Sequence, residues 1–305
     1  MTTAIIFPGQ GSQSLGMLAE ISDTYPQIRQ SFQEASEALG YDLWQVTKEG
    51  PEEKLNSTEI TQPAILTASI ALWRLLQSEK TVSPAYLAGH SLGEYSALVA
   101  AGAIDLAAGV KLVEQRGRLM QSAVEGRATA MAAILGLDDD SVVSVCGEAA
   151  QGECVEAVNF NCPGQVVIAG DAAAVDRAIE GLKAAGAKRA IKLAVSVPSH
   201  CALMKPAADQ LAVAFDSIAF NKPSLPVIQN VNASVATELD GLKNNLVEQL
   251  YSPVLWTQSL QLMVKEGVTD FVECGPGKVL AGLVKKIDRS LEVTCLSDPA
   301  SWSLG

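Results

Sequence analysis

Ala85-Tyr86-Leu87-Ala88-Gly89-His90-Ser91-Leu92-Gly93-Glu94-Tyr95 begins as an apolar run of strand length and passes through a Gly-x-Ser-x-Gly pentapeptide. It then enters a stretch, residues 92–101, that reads as a helix closed by Gly102. A serine between an apolar strand and a helix is the context that a nucleophile elbow requires. The flanking glycines keep crowded backbones apart at such a turn. The helix that follows starts beneath the hydroxyl with free N–H groups and a positive dipole end, so the N–H of Leu92 is placed to hold an oxyanion.

The surroundings of this stretch set the fold class. Upstream, residues 3–7 read as a short buried strand, followed by the loop Pro8-Gly9-Gln10-Gly11-Ser12-Gln13. Residues 31–39 and 62–77 show apolar positions at helical spacing, the second with Pro63 in its first turn. Residues 106–124 form a longer helical pattern. Strands alternating with helices predict a parallel sheet covered by helices. Further along the pattern changes: strand 129–135, helix 138–150, strands 155–161 and 165–169 joined by Cys162-Pro163-Gly164, helix 171–185 and strand 189–194. That β-α-β-β-α-β order is a ferredoxin-like split unit. It predicts a small subdomain over residues 126–196, inserted into a large domain made of residues 1–125 and 197–305. Strand candidates at 226–231, 271–274 and 292–296 let the large domain resume.

Composition removes several classes of function. The 305 residues carry 34 acidic and 22 basic side chains, a formal charge of −12. No Lys/Arg run interrupts that excess, which argues against a nucleic-acid or anionic-membrane surface. The most apolar stretch, residues 95–113, contains Asp105, Lys111 and two glycines, so no transmembrane helix is expected. The N-terminal apolar segment ends at Pro8 with no basic region before it, which is too short for a signal peptide and predicts a cytoplasmic protein. Cys146, Cys154, Cys162, Cys201, Cys274 and Cys295 contain no Cys-x-x-Cys pair and read as reduced, mostly buried residues. No histidine lies near the first three, so a structural zinc site is not supported.

A nucleophilic serine needs a base, and the chain has only two histidines. His90 adjoins Ser91 on an extended segment, where neighbouring side chains point to opposite sides. His200, at the return from the small subdomain, is the better candidate. A third group should orient the imidazole, but acidic residues are numerous and spacing selects none of them. Gly9 and Gly11 also suggest a dinucleotide loop, yet Gly-x-Gly-x-x-Gly needs glycine where Ser14 stands.

Four segments together carry a resemblance that extends over roughly residues 1–297: Phe7-Pro8-Gly9-Gln10-Gly11-Ser12-Gln13, Gly89-His90-Ser91-Leu92-Gly93-Glu94-Tyr95, Gln115-Arg116-Gly117 and Val197-Pro198-Ser199-His200. Gln249-Leu250-Tyr251 and Gly275-Pro276-Gly277-Lys278 add to it. The chain resembles the malonyl-CoA:acyl carrier protein transacylases of bacterial fatty acid synthesis. The resemblance implies a hydrolase-like α/β domain with a ferredoxin-like insert, in agreement with the pattern above.

It further implies that Ser91 attacks the malonyl thioester while His200 takes its proton. The resulting malonyl-serine ester is then passed to the phosphopantetheine thiol of acyl carrier protein, in ping-pong order. In this family the histidine is oriented by a backbone carbonyl, which falls here on Gln249, and the N–H groups of Gln10 and Leu92 form the oxyanion hole. Arg116 would clamp the malonyl carboxylate with paired charge-assisted hydrogen bonds, whereas Arg118 reads as a surface residue. A hydrolase built on the same Ser91 and His200 would have no use for that clamp. No metal or tightly bound cofactor is implied, since coenzyme A enters as part of the substrate and leaves as product. An acidic carrier would need local basic residues, for which Lys188, Arg189, Lys192, Lys278, Lys285, Lys286 and Arg289 are the candidates.

Overall fold

The computed structural model describes residues 2–80, 82–195 and 197–302. In chain order the elements are β1 (Thr3–Phe7), α1 (Ala19–Thr24), α2 (Gln27–Leu39), α3 (Leu43–Glu49), α4 (Glu52–Leu55), α5 (Thr58–Glu79), β2 (Tyr86–Gly89), α6 (Leu92–Ala100) and α7 (Leu106–Ser122). There follow β3 (Thr129–Leu135), α8 (Asp139–Ala150), β4 (Val155–Cys162), β5 (Gln165–Asp171), α9 (Ala172–Ala184) and β6 (Arg189–Lys192). The chain then runs through α10 (Lys205–Ala214), β7 (Val227–Gln229), β8 (Ser234–Val235), α11 (Leu239–Glu248), α12 (Trp256–Lys265), β9 (Asp270–Glu273), α13 (Val279–Ile287) and β10 (Glu292–Cys295). Local chemistry sets several boundaries. Asp42, Asp105 and Asp138 each accept a backbone N–H of the first turn as N-caps of α3, α7 and α8.

One sheet has the order β10-β9-β1-β2-β7-β8. All its pairs are parallel except β7 with β8. The two-residue β8 carries too little pattern to be legible in the sequence, and it closes the sheet edge as an antiparallel hairpin strand. The register Phe7↔Gly89 places the ends of β1 and β2 side by side, so the Pro8–Gln13 loop and Ser91 emerge together at the carboxyl edge, where open α/β sheets bind ligands. Helix α5 is buried along most of its length, with Thr61, Gln62, Thr67 and Ser69 buried among its apolar residues. It starts at Thr58, so Pro63 lies in its second turn and not in the first. The earlier turn is closed by Thr61 N donating to Ser57 O at 2.8 Å, and it packs tightly on α7, where a Cβ on Gly117 would overlap the Thr58–Glu59 backbone.

The second sheet is antiparallel, with order β4-β5-β3-β6. Strand alternation divides its faces. Ala132, Ile134, Val166 and Ile168 pack under α8 and α9, while Met131, Val167 and Ala169 face away from the helices. Strand β6 ends at Lys192, two residues before the sequence pattern suggests, although Leu193 N still donates to Met131 O at 2.9 Å. The expected last residue of the small unit, Ser196, lies outside the described residues. The second sheet is tied through backbone to the segment before α12: Val254 N donates to Val158 O at 2.9 Å and Phe160 N to Val254 O at 3.0 Å, a parallel bridge to β4. Thr257 Oγ1 adds a bond to Phe160 O at 3.0 Å.

All six cysteines are free; four are buried, and Cys154 and Cys295 are half-buried. No helix among the described residues is long and apolar enough to cross a membrane.

Candidate active site

Ser91 sits between β2 and α6 with φ 53° and ψ −109°, a left-handed conformation that L-residues other than glycine rarely adopt. The pentapeptide glycines make the turn possible. A Cβ on Gly89 would overlap the Gly93 backbone, and one on Gly93 would overlap the carbonyl of Phe7. The strain is held from both sides by Asn230, which follows β7. Its Oδ1 accepts from Ser91 N at 2.7 Å and its Nδ2 donates to Gly89 O at 2.7 Å.

The Ser91 hydroxyl lies 2.7 Å from His200 Nε2. His200 Nδ1 is 2.6 Å from the carbonyl of Gln249. A carbonyl only accepts, so Nδ1 carries the proton and Nε2 is left as the acceptor facing the serine. Burial, and then the charge of Arg116, push His200 down to about 3. The imidazole is therefore neutral at physiological pH and ready to take a proton. His90 turns elsewhere, with Nε2 at 2.8 Å from Asn161 Oδ1.

Arg116 projects from α7 and is 1% exposed. Its Nη1 donates to Gln62 Oε1 at 2.8 Å, and its Nη2 to Gln249 Oε1 at 3.0 Å and, more weakly, to Ser91 Oγ at 3.4 Å. The guanidinium carbon is 5.4 Å from the centre of the Tyr95 ring. Arg118, two residues on, lies at the surface, paired with Glu59 and Glu114. The sequence contains no pattern that marks Gln62, Asn161 or Asn230. Each is a polar residue in or beside an apolar run whose partner lies 54, 71 or 139 residues away.

His90, Ser91, Arg116, Asn161 and His200 line a cleft of about 280 Å³ between the two sheets. Gln10 and Leu92 border it, and neither backbone N–H makes a turn or cap hydrogen bond, whereas Gly93 N and Glu94 N are tied to His90 O and Ser91 O. The apolar wall comes from the helix-free face of the second sheet, through Met131, Ala133 and Val167, and from α13. Leu193 and Val279, 37% and 52% exposed, form the rim. Lys188, Arg189, Lys192, Lys278, Lys285, Lys286 and Arg289 are all exposed; Lys192 pairs with Asp176, and Lys286 donates to Gln165 of the cleft. Among the described residues no group of three or more His, Cys, Asp or Glu side chains is placed to hold a metal ion.

Residues 4–295 match the model of the acyl transferase domain family. The chain is 57% identical over 300 residues to the malonyl CoA-acyl carrier protein transacylase of Escherichia coli strain K12, covering 98% of this chain and 97% of the relative. Among solved structures it is similar to an acyl carrier protein S-malonyltransferase from Vibrio cholerae O1, with TM-score 0.96, 55% identity and 99% of both chains covered. It is also similar to a malonyl-transacylase in complex with its type II PKS acyl-carrier protein, with TM-score 0.97, 53% identity and coverage of 99% of this chain and 97% of that one.

Proposed function

Since the chain belongs to the acyl transferase domain family, and within it to the malonyl CoA-acyl carrier protein transacylases, we infer that Ser91, His200, Gln249, Gln10, Leu92 and Arg116 carry out its reaction. The protein is an acyltransferase that moves malonyl from malonyl-CoA to acyl carrier protein. We propose the following route. Ser91 Oγ gives its proton to His200 Nε2 and attacks the thioester carbonyl carbon. The tetrahedral oxyanion is held by the N–H groups of Gln10 and Leu92, each of which contributes about 2.7 to 4 kcal/mol in such a role. Collapse breaks the C–S bond, and the coenzyme A thiolate takes the proton back from His200. The phosphopantetheine thiol then repeats the sequence in reverse on the malonyl-serine ester. Malonyl-carrier produced in this way supplies extender units for fatty acid synthesis in the cytoplasm. The route asks for no metal or organic cofactor beyond coenzyme A as substrate and product.

The observation that carries the reading is the buried guanidinium 3.4 Å from the nucleophile. A malonyl group on Ser91 has its free carboxylate three atoms from Oγ, within reach of Arg116. Mass spectrometry tests the whole route. Brief mixing with malonyl-CoA should add one malonyl to Ser91, and carrier protein should then remove it to its own phosphopantetheine. Loss to free malonate at the same rate with or without carrier would make this a hydrolase.

The strand order β4-β5-β3-β6 with two helices on one face supports reading the small unit, residues 126–196, as a ferredoxin-like insert. The parallel sheet with its strand-serine-helix turn supports a hydrolase-like domain for residues 1–125 and 197–305. The exposed cations near β6 and α13, beside the apolar rim, are read as the docking area for an acidic carrier. Transfer to carrier should then weaken with added salt more steeply than acylation by malonyl-CoA. Equal salt slopes for the two half-reactions would remove the patch from that role.

A further inference from the structure

We propose that Glu94 is a positioning residue for malonyl transfer, its carboxylate tying the strained Ser91 turn to the Gln249 segment that orients His200. The proposal rests on the reading of Ser91 as nucleophile and goes beyond it. Glu94 lies in the first turn of α6 and is completely buried. Its oxygens accept from Asn230 N at 2.9 Å, Gln249 Nε2 at 2.9 Å and Gln229 Nε2 at 3.2 Å.

Each of the first two donors belongs to a residue that shapes the site. Asn230 is the clamp on both sides of the serine. Gln249 donates to Ser91 O at 3.0 Å, accepts from Arg116, and offers its own carbonyl to His200. One carboxylate thus holds the nucleophile's backbone and the base's orienting group in a common frame. Without it, Asn230 and Gln249 are joined only through the strained Ser91 backbone that they are there to hold.

Every neighbour of Glu94 donates, so the site accepts an ionised carboxylate and conflicts with a protonated one. A carboxylic acid proton would face an N–H and break one of the three bonds. Burial works the other way and pushes Glu94 up to about 7, against those three hydrogen bonds and the charge of Arg116. The charged or titratable groups acting on it are Arg116 on α7 and Tyr95 on its own helix; Gln229, Asn230 and Gln249, from the other elements packed on it, do not titrate. The frame is complete when Glu94 is ionised and loses a bond as pH falls and it protonates. His200 is pushed the other way, down to about 3 in the free enzyme, by burial and by Arg116, and the variants tell the two apart: a limb that Glu94→Gln abolishes belongs to Glu94.

The test is the single-turnover rate of malonyl adduct formation on Ser91 at saturating malonyl-CoA, from pH 5.5 to 9, in wild type, Glu94→Gln and Glu94→Asp. Wild type should rise through a one-proton limb near pH 7. Glu94→Gln, a permanent mimic of the protonated acid, should be flat and roughly tenfold or more below wild type at pH 8.5. Glu94→Asp should regain part of the rate together with the limb. A structural role alone would not move the pH profile. A wild-type rate that is flat from pH 6 to 8.5 overturns the proposal even if no variant folds. So does Glu94→Gln within twofold of wild type, or one that keeps the limb. Absence of any wild-type adduct at all pH values is a different result, which strikes the serine reading and the proposal with it.

Discussion

His200→Ala should slow malonylation of Ser91 by about 10⁴-fold, the upper end of what a positioned acid-base group contributes. The expectation is large because nothing nearby replaces the base. His90, the other histidine of the chain, is engaged with Asn161 at 2.8 Å. Arg116, the remaining group near Oγ, has no acceptor to offer. On the proposed route His200 acts on the reacting proton, so kcat and kcat/KM should fall together while binding of malonyl-CoA holds. Rapid-quench mass spectrometry of the adduct measures this directly, and a loss below tenfold would exclude His200 as the base.

Arg116→Ala should lower malonyl transfer on the order of 10²-fold or more while leaving acetyl transfer unchanged or faster. Truncating one partner of a buried, hydrogen-bonded charge pair costs about 2 to 5 kcal/mol, and the malonyl carboxylate would be that abandoned partner. The gain on acetyl has its own cause. Arg116 depresses the basicity of His200. In the parent enzyme a bound malonyl carboxylate offsets that charge and makes protonation of His200 easier, whereas acetyl does not. The alanine variant removes the penalty for both. Gln249 stays in place through Ser91 O and Glu94, so the base remains oriented. Lysine at this position keeps the charge but lacks the planar fork, and should restore little. Steady-state rates with malonyl-CoA and acetyl-CoA decide the matter, and an equal loss on both would remove Arg116 from specificity.

What could be read in advance follows from how local each cause is. The turn at Gly89-His90-Ser91-Leu92-Gly93 is legible because crowding between neighbours in sequence dictates the glycines. The βαββαβ unit is legible because strand alternation and helix caps are short-range. Even so, the apolar spacing starts this helix at residue 62, whereas α5 begins at Thr58, where its first turn packs on Gly117 of α7, a contact between segments distant in sequence. Gln249 is a different case. It works through a main-chain carbonyl, which any residue has, so composition and spacing are silent and only family resemblance points to it. Glu94 and Asn230 sit inside or beside apolar segments, and their value depends on partners more than 130 residues away.

The backbone bridge between β4 and Val254 has a bearing on how such an enzyme changes its taste in acyl groups. Val254 bonds β4 of the helix-free wall at 2.9 and 3.0 Å, and the next residue, Leu255, donates its N–H to Asn230 O at 2.9 Å, so the wall is tied through main chain to the residue that clamps Ser91. The register between that wall and the nucleophile is thus set by backbone, which any side chain leaves unchanged. A lineage that needs a different extender can exchange side chains on that wall, Met131, Ala133 and Val167 among them, and keep the backbone bonds that hold it to the serine turn.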